Sequence, residues 1–186
     1  MHKVKDIIDG CLSGSRRDQE LLYRRYAPKL YAVCLQYSGN TEEARDVLQE
    51  GFIKIFENLG RYSHEGSFEG WMRRIIVNTA LEKYRSRYYL TRVEDIDRVA
   101  EPEAEPDTDD FAGLEAVDLL NMIMELPPKY RMVFNLYAIE GYSHKEIGTL
   151  MNISEGTSKS NLSRARDILQ KKVMILTGVT RRMINV

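Results

Sequence analysis

Cysteine is scarce: Cys11 and Cys34 are the only two among 186 residues. Both fall in apolar helical patterns, so they read as buried free thiols in a reducing compartment, not as a disulfide frame. The three histidines, His2, His64 and His144, share no ligand spacing with the cysteines, so no metal site is expected. No stretch approaches the roughly 20 apolar residues of a membrane span, which argues against membrane insertion. The opening residues MHKVKDIIDG lack the apolar core of a secretory leader. A glycine-rich phosphate loop is missing, and no serine or cysteine has a convincing histidine partner. Hence no catalytic residue, no cofactor and no small-molecule substrate are expected. A soluble cytoplasmic protein that is not an enzyme fits these gaps.

Hydrophobic residues make up 43% of the chain, enough to fill a core. The 27 basic and 28 acidic residues leave a formal charge of −1. That near-neutrality hides an asymmetry. Between Glu94 and Asp110 lie nine acids and one base, Arg98. Outside that stretch 26 bases face 19 acids, a formal +7. The segments with folding patterns are therefore basic, as suits a polyanionic partner.

The periodicity is helical nearly throughout, with no β-hairpin signal and no internal repeat. Val4, Ile7, Ile8, Cys11 and Leu12 form a first apolar stripe. A second helix begins near Asp18 and carries Pro28 within it, where a kink or a new turn is expected. A third spans Thr41 to Leu59, and a fourth runs from a Ser67 cap to about Arg87, burying Phe68, Trp71, Met72, Ile75, Ile76 and Ala80. The acidic stretch, with Pro102 and Pro106, reads as a linker. Periodicity returns near Phe111 with Leu114, Val117, Leu120, Ile123 and Met124, stops at Leu126-Pro127-Pro128, and resumes over Lys129 to Glu140. The fold class is all-α: two helical domains joined by an acidic flexible linker, the second containing a helix-turn-helix.

That helix-turn-helix is Tyr142 to Leu169. Ser143 with Glu146 three residues on forms a capping box, a turn falls at Asn152-Ile153-Ser154, and Ser154 caps a second helix. Ser158, Leu162, Ala165 and Leu169 recur at helical spacing and mark its packed face. Ser160, Ser163 and Arg164 then point outward, with Lys159 and Arg166 on one flank and Asn161 on the other. Arginine suits guanine edges, asparagine suits adenine, and lysine suits phosphate. Such a helix can lie in the major groove.

The Trp71 helix carries Arg73, Arg74, Asn78 and Lys83 on or beside its polar side. Its preceding loop holds Arg61, Tyr62, Ser63 and His64. Rings beside cations suit an unstacked base of single-stranded nucleic acid. Trp71 reads as a core residue and Tyr62 as the stacking candidate. The third helix differs, for Glu42, Glu43, Asp46, Gln49 and Glu50 line its polar side. Taken alone that is a solvated face. Residues alone leave a conventional helix-turn-helix regulator and a pure interaction protein as competing readings.

Three segments in order, ARDVLQEGFIKIFENL, GWMRRIIVNTALEKYRSR and LPPKYRMVFNLYAIEGYSHKEIGTLMNISEGTSKSNLSRARDIL, resemble the extracytoplasmic-function group of bacterial RNA polymerase sigma factors. The resemblance implies a subunit that binds core RNA polymerase and directs promoter recognition, DNA melting and transcription initiation. It implies that Asp46, Gln49 and Glu50 dock on the polymerase. It assigns Arg61, Tyr62, Ser63, His64, Arg73, Arg74, Asn78 and Lys83 to the minus-ten element of promoter DNA. It assigns Lys159, Ser160, Asn161, Ser163, Arg164 and Arg166 to the minus-thirty-five element. An anti-sigma factor is a further implied partner. On this reading residues 1–92 form the polymerase-binding and melting domain, 93–112 the acidic linker, and 113–186 the upstream-reading domain. The family often has Val at the place of Ser158 and Arg at that of Asn161. The serine is expected to loosen packing under the reading helix, and the asparagine to remove a charge close to DNA.

Overall fold

A computed structural model describes residues 3–91 and 116–177, and every regular element among them is helical. The chain divides into two compact units, Met1–Ser86 and Arg87–Val186. The acidic stretch, Phe111 and Leu114 lie outside the described residues.

In the first unit, α1 spans Val4–Leu12 and buries Ile7, Ile8 and Cys11. Leu12, expected in that stripe, is instead 54% exposed, because it ends the helix and faces away from the packed side. Helix α2, Arg16–Tyr37, starts two residues earlier than the apolar pattern implies. Ser15 explains the start, since its side chain accepts from the Asp18 N–H at 3.3 Å. The helix runs through Pro28, which sits at the surface where water can satisfy the carbonyl that proline leaves unpaired. Helix α3, Thr41–Asn58, is capped by Asn40, which accepts from the Glu43 N–H at 2.8 Å. A 3-10 turn, Leu59–Arg61, ends it. Helix α4, Phe68–Thr91, follows the loop, with Ser67 accepting from the Gly70 N–H at 3.3 Å.

The core of this unit gathers Leu22, Leu30, Cys34, Val47, Ile55, Met72 and Ile76. Gly51 lets α3 approach α4, for a Cβ there would stand 2.3 Å from the Ile76 Cδ1. Trp71 and Ile75, expected in the core, are only half-buried, while Val77 and Leu81 are buried without having been singled out. Burial pushes the Cys34 thiol up to about 12. It pushes Cys11 up to about 11, with the Asp18 charge adding to the effect. Both remain protonated, unreactive thiols near neutral pH.

In the second unit, α5 spans Ala116–Met124 and α6 spans Pro128–Phe134, with Pro128 in the first turn, where it costs no hydrogen bond. Val117 of α5 is 64% exposed, not packed inward as its spacing implied. Arg131, which the sequence did not single out, is buried. Its Nη1 donates to the Met124 and Leu126 carbonyls at 2.7 and 3.1 Å, closing the end of α5. The expected helix over Lys129 to Glu140 widens after Phe134 into a π turn, Asn135–Ile139. Helices α7, His144–Met151, and α8, Glu155–Thr177, form the helix-turn-helix. The Ser143–Glu146 capping box is present, Asn152 takes the left-handed conformation at φ 57°, and the Ser154 Oγ accepts from the Thr157 N–H at 2.9 Å.

Gly148 makes this turn possible. The Ile153 N–H returns to the Gly148 carbonyl at 3.0 Å, and a Cβ on Gly148 would meet the Ile153 carbonyl oxygen at 2.9 Å. Backbone, unlike a side-chain tip, has little room to yield. Gly148→Ala is therefore expected to destabilise the second unit by about 1–3 kcal/mol. Thermal unfolding followed by circular dichroism checks this, and an unchanged melting temperature would contradict the close approach.

Candidate nucleic-acid interface

Helix α8 packs against α5, α6 and α7, so more than one narrow stripe of it is covered. Ser158, Leu162, Ala165 and Leu169 are buried, as their spacing implied. Asn161 is also buried, at 6% exposure, and this corrects its assignment to the outward flank. The apolar spacing gave the centre of the packed face, but its breadth depends on how many helices lean on α8. Ser158 is fully buried too, and its hydroxyl has a polar neighbour. Its Oγ lies 2.9 Å from the His144 Nδ1.

Lys159 and Arg164 are exposed, and Ser160 and Ser163 are half-buried. Lys159 pairs with Glu155 at 2.9 Å, one turn earlier, and Ser160 donates to the Thr157 carbonyl at 3.1 Å. The Glu155 carboxyl is held below its usual range by the hydrogen bond from Lys159 and by that lysine's charge. Arg166 lies half-buried, with its guanidinium 5.8 Å from the Tyr137 ring centre. The outward set is thus the exposed Lys159 and Arg164, with the two half-buried serines between them.

In the first unit the Arg61–Ser67 segment folds over an aromatic cluster. Tyr62 is half-buried, its ring centre 5.0 Å from Phe68, 5.5 Å from Trp71 and 4.9 Å from His64. Its hydroxyl donates to the Gly66 carbonyl at 3.1 Å, and Phe68 and Trp71 stack at 5.6 Å. His64 and Gly66 both take positive φ, 61° and 75°, which folds the loop back over these rings. Arg61, Ser63 and His64 are exposed. An open pocket of 390 Å³ lies beside the loop, with Tyr26, Tyr62, His64 and Phe68 in its walls and Lys5 and Ser67 among its polar groups. Along α4, Trp71, Arg74 and Asn78 follow at helical spacing on one accessible stripe. Arg73 is half-buried.

Helix α3 presents Asp46 and Gln49 to solvent, but Glu50 is engaged within the unit. It pairs with Lys54 at 3.1 Å and with Lys83 of α4 at 3.3 Å, and Lys54 reaches Glu82 at 2.5 Å. The four charges tie α3 to α4. Lys83 is thereby not a free cation of the α4 surface. Neither Lys54 nor Glu82 stood out in the sequence, because the pairing spans 28 residues between helices. Burial works against both central charges. Even so, Lys54 and Lys83 hold the Glu50 carboxyl below its usual range, and Glu82 and Glu50 hold the Lys54 amine above its own.

Two family models match the chain: Sigma-70 region 2 over residues 22–88 and Sigma-70, region 4 over residues 116–169. SigW of Bacillus subtilis, an ECF RNA polymerase sigma factor, is 32% identical over 159 residues, covering 80% of this chain and 84% of its own length. The chain belongs to the ECF RNA polymerase sigma factors. SigE of Mycolicibacterium smegmatis, another of them, is 34% identical over 152 residues, and the match spans 80% of this chain and 59% of the relative. The sigma-H factor of Pseudomonas aeruginosa is 29% identical, with 92% and 94% covered. Among solved structures, RpoE of Bartonella quintana, in complex with the anti-sigma factor NepR, superposes with a TM-score of 0.47 at 22% identity, covering 83% of this chain and 96% of that one.

As an ECF sigma factor the protein is a transcription initiation factor that binds core RNA polymerase and promoter DNA. The helix-turn-helix, α7 with α8, lies in its region 4 and the α3–α4 pair in its region 2.

The Glu50 pairings contribute stability that is full above the ordinary glutamate pKa and is lost as pH falls through the lowered one. Solvent screens them, so Glu50→Gln is expected to cost the first unit only about 0.5 kcal/mol near pH 7. Urea unfolding of variant and wild type across the acid range checks this. The difference should close as the carboxylate titrates, and a gap that persists in acid would assign it to packing.

Proposed function

We propose that the two units divide promoter recognition between them. In the first, the loop Arg61–His64 and the stripe Trp71, Arg74 and Asn78 hold the minus-ten strand after the duplex opens. Arg73 and Lys83 border that stripe, Lys83 only once it leaves Glu50. The observation that carries this reading is the continuity of the Tyr62–Phe68–Trp71 ring cluster with the Arg74–Asn78 stripe. A flipped base needs an apolar wall and a few polar groups, and its phosphates need cations. The pocket beside Tyr62 and His64 offers the wall, and Arg74 the charge. Unstacking costs a few kcal/mol, which capture of the base offsets.

On the same reading, Asp46 and Gln49 of α3, with Glu50 behind them, meet a basic surface of the polymerase. An acidic face would repel DNA, so a protein surface is its better match. In the second unit Lys159, Ser160, Ser163 and Arg164 face the minus-thirty-five element. Asn161 and Arg166 act from within the packed edge. Residues 93–112 tether residues 1–92 to residues 113–186, so that each reaches its own DNA site. The polymerase performs the chemistry and the sigma factor none, in the cytoplasm, with an anti-sigma factor as the counterpart that restrains it.

Run-off transcription tests this with purified core polymerase and a pool of genomic promoter fragments. The protein should stimulate defined transcripts. Tyr62→Ala should lower open-complex formation about tenfold while leaving affinity for core polymerase unchanged. This is the effect of losing one to two kcal/mol of base stacking. Asp46→Ala with Gln49→Ala should do the reverse, weakening polymerase binding first. Absence of stimulation from any fragment would overturn the assignment.

A further inference from the structure

One residue of the second unit, at the start of α7, reaches the packed side of α8. His144 is the first residue of α7, held in place by the Ser143–Glu146 capping box. Its ring stacks on Tyr137 of the π turn, with centres 4.6 Å apart and planes 19° from parallel. Its Nδ1 lies 2.9 Å from the Oγ of Ser158, a side chain wholly removed from solvent. Tyr137 in turn lies under the guanidinium of Arg166, at 5.8 Å.

The contacts made through this stack therefore reach α8 at two points, Ser158 and Arg166. Eight residues of helix separate them, a rise of about 12 Å. The two contacts add to the apolar packing of α8 and to its Lys172–Glu125 ion pair. Two points more than two turns apart fix both its rotation and its register. The Ser158–His144 bond has directional character that the Leu162–Ala165–Leu169 packing lacks, because apolar contacts tolerate small rotations. Ser158 is fully buried, so parting the pair would leave its hydroxyl without this partner away from water. The π turn supplies the remaining piece, for it shifts the helical phase that places Tyr137 beneath the imidazole.

We propose that His144 is a positioning residue for upstream-element selectivity: clasped between Tyr137 and Ser158, it sets the rotation of α8 and so which base edges Lys159, Ser163 and Arg164 address. The inference rests on α8 being the helix that faces the upstream element.

The test uses holoenzyme reconstituted from core polymerase and the full chain. Its DNA is a promoter fragment that the wild type transcribes, with the upstream element randomised. Bound sequences are counted, and the ratio of best to average base at each position is the readout. His144→Phe keeps the stack and loses the bond to Ser158, whereas Ser158→Ala removes the bond from the other side. Both should lower upstream selectivity about fivefold, the scale of a weakened base contact, with core-polymerase affinity unchanged. His144→Asn, whose amide can stand where Nδ1 stands, should restore part of the selectivity. A loss of fold confined to His144→Phe, seen by circular dichroism, leaves Ser158→Ala to decide. Arg164→Ala separates the two levels of inference. If it flattens the preference while Ser158→Ala and every folded His144 variant leave it unchanged, α8 reads DNA and the positioning role is wrong. If Arg164→Ala also changes nothing, the premise that α8 reads the element falls, and the proposal with it.

Discussion

The contact between Gly148 and the Ile153 carbonyl is the constraint on which the second unit depends. At 2.9 Å from where a Cβ would stand, the backbone leaves room for hydrogen and nothing larger. That proximity lets Asn152 turn the chain through the left-handed region in a single residue. It also lets Ser154 cap α8 at once. A longer turn would separate α7 from α8 and pull His144 away from Ser158. Two stereochemical demands, one close-packed glycine and one left-handed asparagine, thus meet at the corner that orients α8.

The first unit solves a different problem. It must present an acidic face and a basic stripe on neighbouring helices without their charges collapsing onto one another. The Glu50–Lys54–Glu82–Lys83 network does this by pairing the charges nearest the α3–α4 boundary. Asp46 and Gln49 on one side, and Arg74 and Asn78 on the other, remain exposed. Each exposed pairing is weak, and its value lies in sorting charges more than in adding stability. The closeness of Lys83 to Glu50 also means that a partner drawing on Glu50 changes the cation available on α4.

Local signals were legible in the sequence, while signals that depend on several helices were not. The Ser143–Glu146 capping box, the turn at Asn152–Ser154 and the buried row Ser158, Leu162, Ala165 and Leu169 each follow from spacing within a few residues, and each is present. Asn161 was misplaced because α8 is covered by three helices, and the width of a buried face cannot be read from one amphipathic stripe. Leu12 and Val117 were misplaced for the converse reason, as apolar residues on correct stripes that stay largely exposed. Trp71 lies between these cases. Its stripe pointed to the core, but it lies against the Tyr62 ring at the boundary, half-buried.

Ser158 shows why a departure from a family pattern has to be read together with its neighbours. A hydroxyl in place of an apolar side chain under a packed helix looks like a loss of a few methyl contacts. Alone it would be, since an unpartnered buried hydroxyl costs more than the packing it replaces. His144, fourteen residues away, reverses the sign by supplying a partner at 2.9 Å. The two positions form a polar pair within a largely apolar seam. An apolar seam is held by area, and many rotations bury nearly the same area. A seam with one buried hydrogen bond is held by direction, and one rotation satisfies it. For a helix proposed to present a few side chains to base edges, the second kind of seam fixes the angle at which those side chains arrive.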